Sequence, residues 1–560
     1  MMQSAAVEQS PSDSIEPAPA LVYAVVILSA ATTLYFALVG RTGVFLFVDE
    51  FHSLANLDRG YGFLFSTFDA RGSGIALPLL QRLTVDLLGD SLFAYRLPAA
   101  LGALAATLLC YPVAKRLVGP IPALISVLAL CSNSFFIYYS RLGRSYTLAV
   151  FLVLWVVFAL HTALVAKTAR AHHYAMLALA VGLAPFVHLV TFGIVAATLA
   201  AGVATLAVRG DWERHGRWLL GSLVSGGLLA GLLHLPAIGE VSVFLDAVVV
   251  GTKNQYLHDG TFISIVGEVL AGGRGASLFW WLGLPVAAVW FVRMRRSDSF
   301  VLLAAAFSSL VVVSLLTPRG APVAWARYLL VSSPFILMLL AWLVVQSVRF
   351  LPLARHSAER VALGIGVGLV VVNFSLGPLG LHHVADGPFS NGYLSTRTVV
   401  ANNIPWPETP SLYRELASAP DDAVVIEAPV LSGRSAQLYR NYYLQHGRRV
   451  LMGAVDVAGA ETSASVWPYV PLLERGAIRA SGADYLIVHL NVEEEAIAYE
   501  AFVHGVDRAP QARRVGVPGT RHGLLLKDYA RSLEGELGVP LYRDQRIVAW
   551  KLSNYRTDPG

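Results

Sequence analysis

Apolar residues run along this chain in blocks long enough to cross a bilayer, with polar positions gathered in the gaps between them. A hydrocarbon core takes roughly 20 residues of α-helix. Runs of that order lie at 21–40, 93–113, 120–138, 145–165, 174–190, 191–208, 218–236, 276–293, 300–316, 326–347 and 360–379. They predict about eleven transmembrane helices. The stretch 174–208 is apolar throughout but carries "APFVHLVTF" at its middle. It reads as two short helices turning near His188, with one long tilted helix as the alternative.

The pattern changes near residue 385. Short β-rich runs, "DDAVVIEAPV", "ADYLIVHL", "GLLLKD" and "RIVAWKL", alternate with stretches of helical character such as "SAQLYRNYYLQH" and "VEEEAIAYEAFVHG". That alternation predicts a compact α/β domain over 385–560. It holds no phosphate-binding glycine loop, no GxSxG elbow and no metal-ligand spacing. At the other end, "MMQSAAVEQSPSDSIEPAPA" has Pro and Ser but no Lys or Arg. Without a basic n-region it reads as a disordered cytoplasmic tail, 1–20, ahead of an uncleaved first span. The expected organisation is that tail, a membrane domain over 21–384 with its first outer loop at 41–92, and the soluble domain.

Composition agrees with the pattern. Hydrophobic residues make up 55% of the chain and charged ones 14%, where a soluble domain carries about 25% charged residues. The fold class is therefore a polytopic α-helical membrane protein. The net charge of +5 comes from basic residues scattered through short loops, which excludes a nucleic-acid-binding patch. Cys110 and Cys131 fall in apolar runs and are expected to be packed thiols.

With a cytoplasmic N-terminus, the even-numbered connections carry Lys115 and Arg116; Lys167 and Arg170; Arg209, Arg214 and Arg217; Arg293, Arg295 and Arg296; and Arg349, Arg355 and Arg360. This is the positive-inside bias. It predicts a multi-pass protein of the cell (inner) membrane whose C-terminal domain is extracytoplasmic.

Three polar groups fall on the outer face. "VFLFVDEFHSL" sets Asp49 and Glu50 side by side among Phe45, Phe47 and Phe51. They are either the solvated start of a loop or a general base with a partner that orients it or helps hold a metal. "YYSRLGRSYTL" places Arg141 and Arg144 three apart, so that on a helical turn both guanidinium groups point one way. Paired arginines suit a lipid-borne phosphate; snorkelling at the interface is the ordinary alternative. Tyr146 either orients them or belongs to an aromatic belt. "WARYLLVSSPF" brings Arg327 and Tyr328 into the tenth span from the same side, and His188 sits at an outer turn.

Read together, "VDEFHS", the segment "LFAYRLPAALGALAATLLCYPVAKRLVG", "YYSRLGRSYTLAVFLVL" and "RYLLVSSPF" resemble the GT-C superfamily of membrane glycosyltransferases. The nearest branch looks like the protein O-mannosyltransferase and aminoarabinose-transferase group. The likeness runs over about 21–350, several motifs in order. It departs late in the first loop, where members show "hPPLyy" and this chain has "DARGSGIALPLLQRL", with Pro78 alone after Arg71.

The resemblance implies an inverting glycosyltransferase. It would move a sugar from a polyprenyl-phosphate donor to a hydroxyl on a lipid, glycan or protein acceptor, on the extracytoplasmic face. Asp49 and Glu50 would be catalytic, and His52, Arg71, Arg141, Arg144, Tyr146, His188, Arg327 and Tyr328 would contact substrate. No cofactor is required by the motifs; a divalent cation on Asp49 and Glu50 stays open. A transporter or flippase of lipid-linked sugars is the competing class. No internal repeat of the kind many transporters show is visible.

Overall fold

The computed structural model describes residues 16–38, 57, 60–68, 74–89, 92–165, 170–242, 274–316 and 327–376 of a helical first unit. Of a second, mixed α/β unit it describes 408–420, 423–428, 442, 445–446, 448–451, 483–491, 494–495, 498 and 523–552. Asp49, Glu50, His52 and Arg71 lie outside the described residues.

Helix is what apolar runs must form in lipid, where no water satisfies an open N–H or C=O. The first unit contains α1 (Pro19–Leu38), α2 (Gly60–Ser66), α3 (Ala76–Leu88), α4 (Leu92–Val118), α5 (Pro120–Cys131), α6 (Ser134–Ser140) and α7 (Tyr146–Val165). These are followed by α8 (Ala171–Val187), α9 (Val190–Arg209), α10 (Trp212–His234), α11 (Arg274–Leu316), α12 (Ser333–Val348) and α13 (Arg355–Leu376). α4 packs on α1 and α7, α8 on α10, and α9 on α11. Lipid gives no hydrophobic drive between helices, so small residues and hydrogen bonds hold them together. Thr33 and Thr107 bond across α1 and α4 at 3.0 Å. A Cβ on Gly226 would lie 2.8 Å from Val181, so α10 approaches α8 closely there. Cys110 and Cys131 are buried free thiols, as expected.

Six helical stretches are long and apolar enough to cross a bilayer, and the bent pair α5–α6 makes a seventh if it is taken as one span. The described residues thus support six or seven spans and leave the expected eleven unconfirmed. The runs 276–293 and 300–316 lie on one continuous helix, α11, because the polar "RRSDS" between them contains no helix breaker. The 174–208 stretch follows the two-helix reading, dividing into α8 and α9 around His188.

The second unit has α14 (Ser411–Leu416), β1 (Val424–Ala428), β2 (Arg449–Leu451), β3 (Tyr485–His489), α15 (Gly523–Leu537), β4 (Tyr542–Arg543) and β5 (Ile547–Lys551). The sheet order is β2-β1-β3-β5-β4. β1 is parallel to β2 and β3, and β5 is antiparallel to β3 and β4. "GLLLKD" is not a strand but the first turn and a half of α15. Leu526, Ala530 and Leu533 are buried at helical spacing, and the last two join Leu486, Val488, Val548 and Trp550 in the core. The apolar burst supplies one face of an amphipathic helix, which a six-residue window reads as β.

Candidate functional site

The arginine turn follows from one asparagine. Asn133 caps α6, its side chain accepting from the Phe135 and Phe136 N–H groups at 3.1 and 2.9 Å, as an N-cap does. The chain bends 58° between α5 and α6. α6 then leads into residues 141–145, which do not form the helical turn that would point both guanidinium groups one way. The Arg144 N–H turns back to the Leu142 carbonyl at 2.8 Å. The two guanidinium groups accordingly have different neighbours. Arg141 lies within electrostatic reach of Arg96 and Tyr138, while Arg144 is 1% exposed and acts on His188.

His188 ends α8 with extended backbone, and its Nδ1 accepts from the Val190 N–H at 3.2 Å. Its carbonyl takes the Thr191 hydroxyl at 2.8 Å. With Nδ1 occupied as an acceptor, the neutral ring carries its proton on Nε2, a hydrogen-bond donor.

Arg327 and Tyr328 open the span that continues through α12. Arg327 Nη2 donates to the Tyr328 hydroxyl at 3.1 Å. Its guanidinium carbon is 5.0 Å from the Tyr328 ring centre and 6.0 Å from that of Tyr146, both within cation–π range. The Tyr146 ring is 5.1 Å from His188 and 6.1 Å from Tyr328, and His188 is 5.9 Å from Tyr328. Arg327 also acts electrostatically on His188.

Five of the predicted residues, Arg144, Tyr146, His188, Arg327 and Tyr328, therefore meet in one cluster. They come from three segments far apart in sequence. Tyr139 extends the aromatic wall, 4.8 Å from Tyr146 and 5.0 Å from Phe135. Two guanidinium groups, an imidazole N–H and phenols gathered among apolar rings suit an anion rich in oxygen, because donors are strong where water is scarce. Arg141 is not among these five; the charged and phenolic groups acting on it are Arg96 and Tyr138. Among the described residues no group of three or more His, Cys, Asp or Glu is placed to hold a metal ion; Asp49 and Glu50 lie outside them.

Two features gave no signal in the sequence. Gln81 of α3 donates to the Gly143 carbonyl at 3.1 Å, inside the arginine turn; a neutral residue in an amphipathic helix looks like any other. The second is a buried polar cluster in the α/β unit. His489 Nε2 bonds Glu427 at 2.7 Å, and Nδ1 bonds Glu495 at 3.1 Å. The Tyr413 and Tyr442 hydroxyls donate to those same carboxylates at 3.0 and 2.7 Å. Burial alone would lower the His489 pKa, but Glu495 and Glu427 together push it up to about 10. The ring is thus an imidazolium clamped between two carboxylates. Read singly in the sequence, these five residues carry no common spacing.

Residues 73–233 match the family model described as dolichyl-phosphate-mannose-protein mannosyltransferase. That range contains α3, the arginine turn and His188. No curated protein sequence matches the chain. The crystal structure of ArnT from Cupriavidus metallidurans bound to undecaprenyl phosphate is similar with a TM-score of 0.57 at 12% identity, over 97% of this chain and 100% of that one. Its apo state gives 0.57 at 14%, over 96% and 100%. The Archaeoglobus fulgidus oligosaccharyltransferase tethered to an acceptor peptide gives 0.52 at 11%, over 88% of this chain and 72% of that one.

Proposed function

We propose, from the premise that this chain carries the GT-C membrane-glycosyltransferase fold, that it is an inverting glycosyltransferase using a polyprenyl-phosphate sugar. The observation that carries the reading is the meeting of buried Arg144, Tyr146 and His188 with half-buried Arg327 and Tyr328 in one cluster. The ArnT structure of similar fold holds undecaprenyl phosphate, the chemical class of ligand that such a cluster fits.

Asp49 takes the proton of an acceptor hydroxyl while that oxygen attacks the anomeric carbon. The bond from that carbon to the phosphate oxygen breaks, and polyprenyl phosphate leaves with the electron pair. Arg144 and Arg327 stabilise the charge it gains, and the His188 Nε2–H donates to a phosphate oxygen. Arg141 adds positive potential from the flank. Glu50 orients the acceptor, and His52 and Arg71 contact substrate from the first loop. A single displacement inverts the sugar.

The basic ends Lys115–Arg116, Arg170, Arg209–Arg217 and Arg349–Arg360 alternate along the helices with Arg144, His188 and Arg327. Positive-inside bias then supports an extracytoplasmic site in the cell (inner) membrane, with the α/β domain on the same face. The acceptor is a lipid, glycan or protein hydroxyl.

The test is transfer by purified protein in vesicles given a panel of labelled polyprenyl-phosphate hexoses and pentoses. Labelled acceptor with inverted configuration is expected, and Asp49→Asn is expected to lose at least about 10² in rate. Intact donor carried across the vesicle without cleavage would replace the reading with a flippase.

A further inference from the structure

Helix α3 overlaps the segment where the sequence departs from the family pattern, and besides Leu57 and Tyr61 before it its polar contacts reach α8, the arginine turn and α4. At its start, the Ile75 N–H donates to the Phe186 carbonyl at 3.1 Å. An open donor at one helix start thereby satisfies an open acceptor near the end of α8. Gly74 makes that approach with φ +86; a Cβ there would lie 2.2 Å from the Val187 carbonyl oxygen, which immediately precedes His188.

In its middle, Gln81 Nε2 holds the Gly143 carbonyl between Arg141 and Arg144. One turn on, the Thr84 hydroxyl meets the Ala94 carbonyl at 2.6 Å. That contact has a cause in the sequence. Ala94 stands four residues before Pro98 inside α4, and proline has no N–H to give its carbonyl. The Thr84 hydroxyl, which also lies 3.0 Å from the Leu80 and Gln81 carbonyls, reaches it more closely, two residues from the buried Arg96.

We infer that α3 is a brace across the site and that Gln81 is a positioning residue for the lipid phosphate. It acts through Gly143 on the turn that aims Arg141 and Arg144. The inference rests on the transferase reading above.

A purely structural role fits the side chain poorly. Gln81 is fully buried, and its Oε1 has no hydrogen-bond partner among the described residues. Leaving a buried acceptor unsatisfied is costly, and an apolar chain of the same length would avoid that cost. The amide is retained where only its N–H is used, against a carbonyl within the arginine turn. Small displacements of binding groups cost far more in affinity and rate than in stability.

The experiment measures undecaprenyl phosphate affinity and donor kinetics on the full chain, unsubstituted and as Gln81→Met, Arg144→Gln and the double variant. Gln81→Met is expected to weaken undecaprenyl phosphate and to raise the donor KM about tenfold. The acceptor KM and the unfolding temperature stay put. The double variant is expected to fall short of the product of the single losses, since Gln81 acts through the turn that holds Arg144. Unchanged binding by Gln81→Met, or losses that multiply in full, overturns the inference alone. If the unsubstituted protein does not bind, or Arg144→Gln binds equally well, the transferase reading goes and the inference goes with it. If Gln81→Met does not fold, Thr84→Val takes its place: donor binding weakened about threefold supports the brace, and unchanged binding overturns it.

Discussion

Arg144 is buried beside His188, and the second cation acting on that histidine, Arg327, is held by the Tyr328 hydroxyl. A planar guanidinium offers a fork of donors that an ammonium cannot copy. Arg144→Lys is therefore expected to keep the protein folded and the charge in place, yet raise the donor KM and lower kcat/KM by about 10². Steady-state kinetics with varied donor checks this, and unchanged donor kinetics would return Arg144 to an interfacial role. The charged and aromatic members of the site were legible because they interrupt apolar runs at the ends of spans. Arg96 stands in plain view within "LFAYRLPAALG", but nothing local told its burial. Gln81 and Thr84 were illegible for a simpler reason: their partners are backbone carbonyls, which every residue carries. Pro98 is a clue, since it has no N–H to give the Ala94 carbonyl.

Elements were read well where one physical signal dominated and poorly where two competed. The apolar stretch around His188 divides as its Pro185 and His188 suggest. The three-residue spacing of Arg141 and Arg144 would align them on a helical turn, but after α6 the chain leaves the helix and the Arg144 N–H closes on the Leu142 carbonyl. α11 runs through a charged interruption that reads as a boundary, and "GLLLKD" belongs to α15 because the helical face continues beyond the six residues quoted. The docking of α3 on α8 gives an element-scale prediction. Gly74→Ala combines a positive φ with a clash against the Val187 carbonyl, and is expected to cost more than about 1 kcal/mol. Hydrogen exchange at residues 75–80 and 186–190 is expected to rise together. Unchanged protection in both would mean that the two segments do not depend on this contact.

For the whole molecule, the sequence distinguished a helical membrane part from an α/β part by periodicity alone, while the span count outran what the described helices support. Hydropathy reports apolar length and not how far a helix continues. The α/β unit has its own signature. His489 is held well above its ordinary pKa, so its contribution to stability is fully present below about pH 6.5 and is lost as pH rises through about 10. Hydrogen-exchange protection of β1 and β3 in the full chain is expected to fall across that window; flat or rising protection would contradict the charged clamp. His489→Gln strands two buried carboxylates and is expected to cost about 3–5 kcal/mol while flattening the pH response.

The most direct measurement of the central claim is stoichiometry. Vesicles containing the purified protein receive a polyprenyl-phosphate sugar labelled in both lipid and sugar, and free polyprenyl phosphate and glycosylated acceptor are counted together. One lipid phosphate released per sugar transferred, with both products suppressed in Arg144→Gln and absent in Asp49→Asn, is the expected result. Donor that binds and stays whole, or cleavage that proceeds undiminished in Arg144→Gln, would contradict the account.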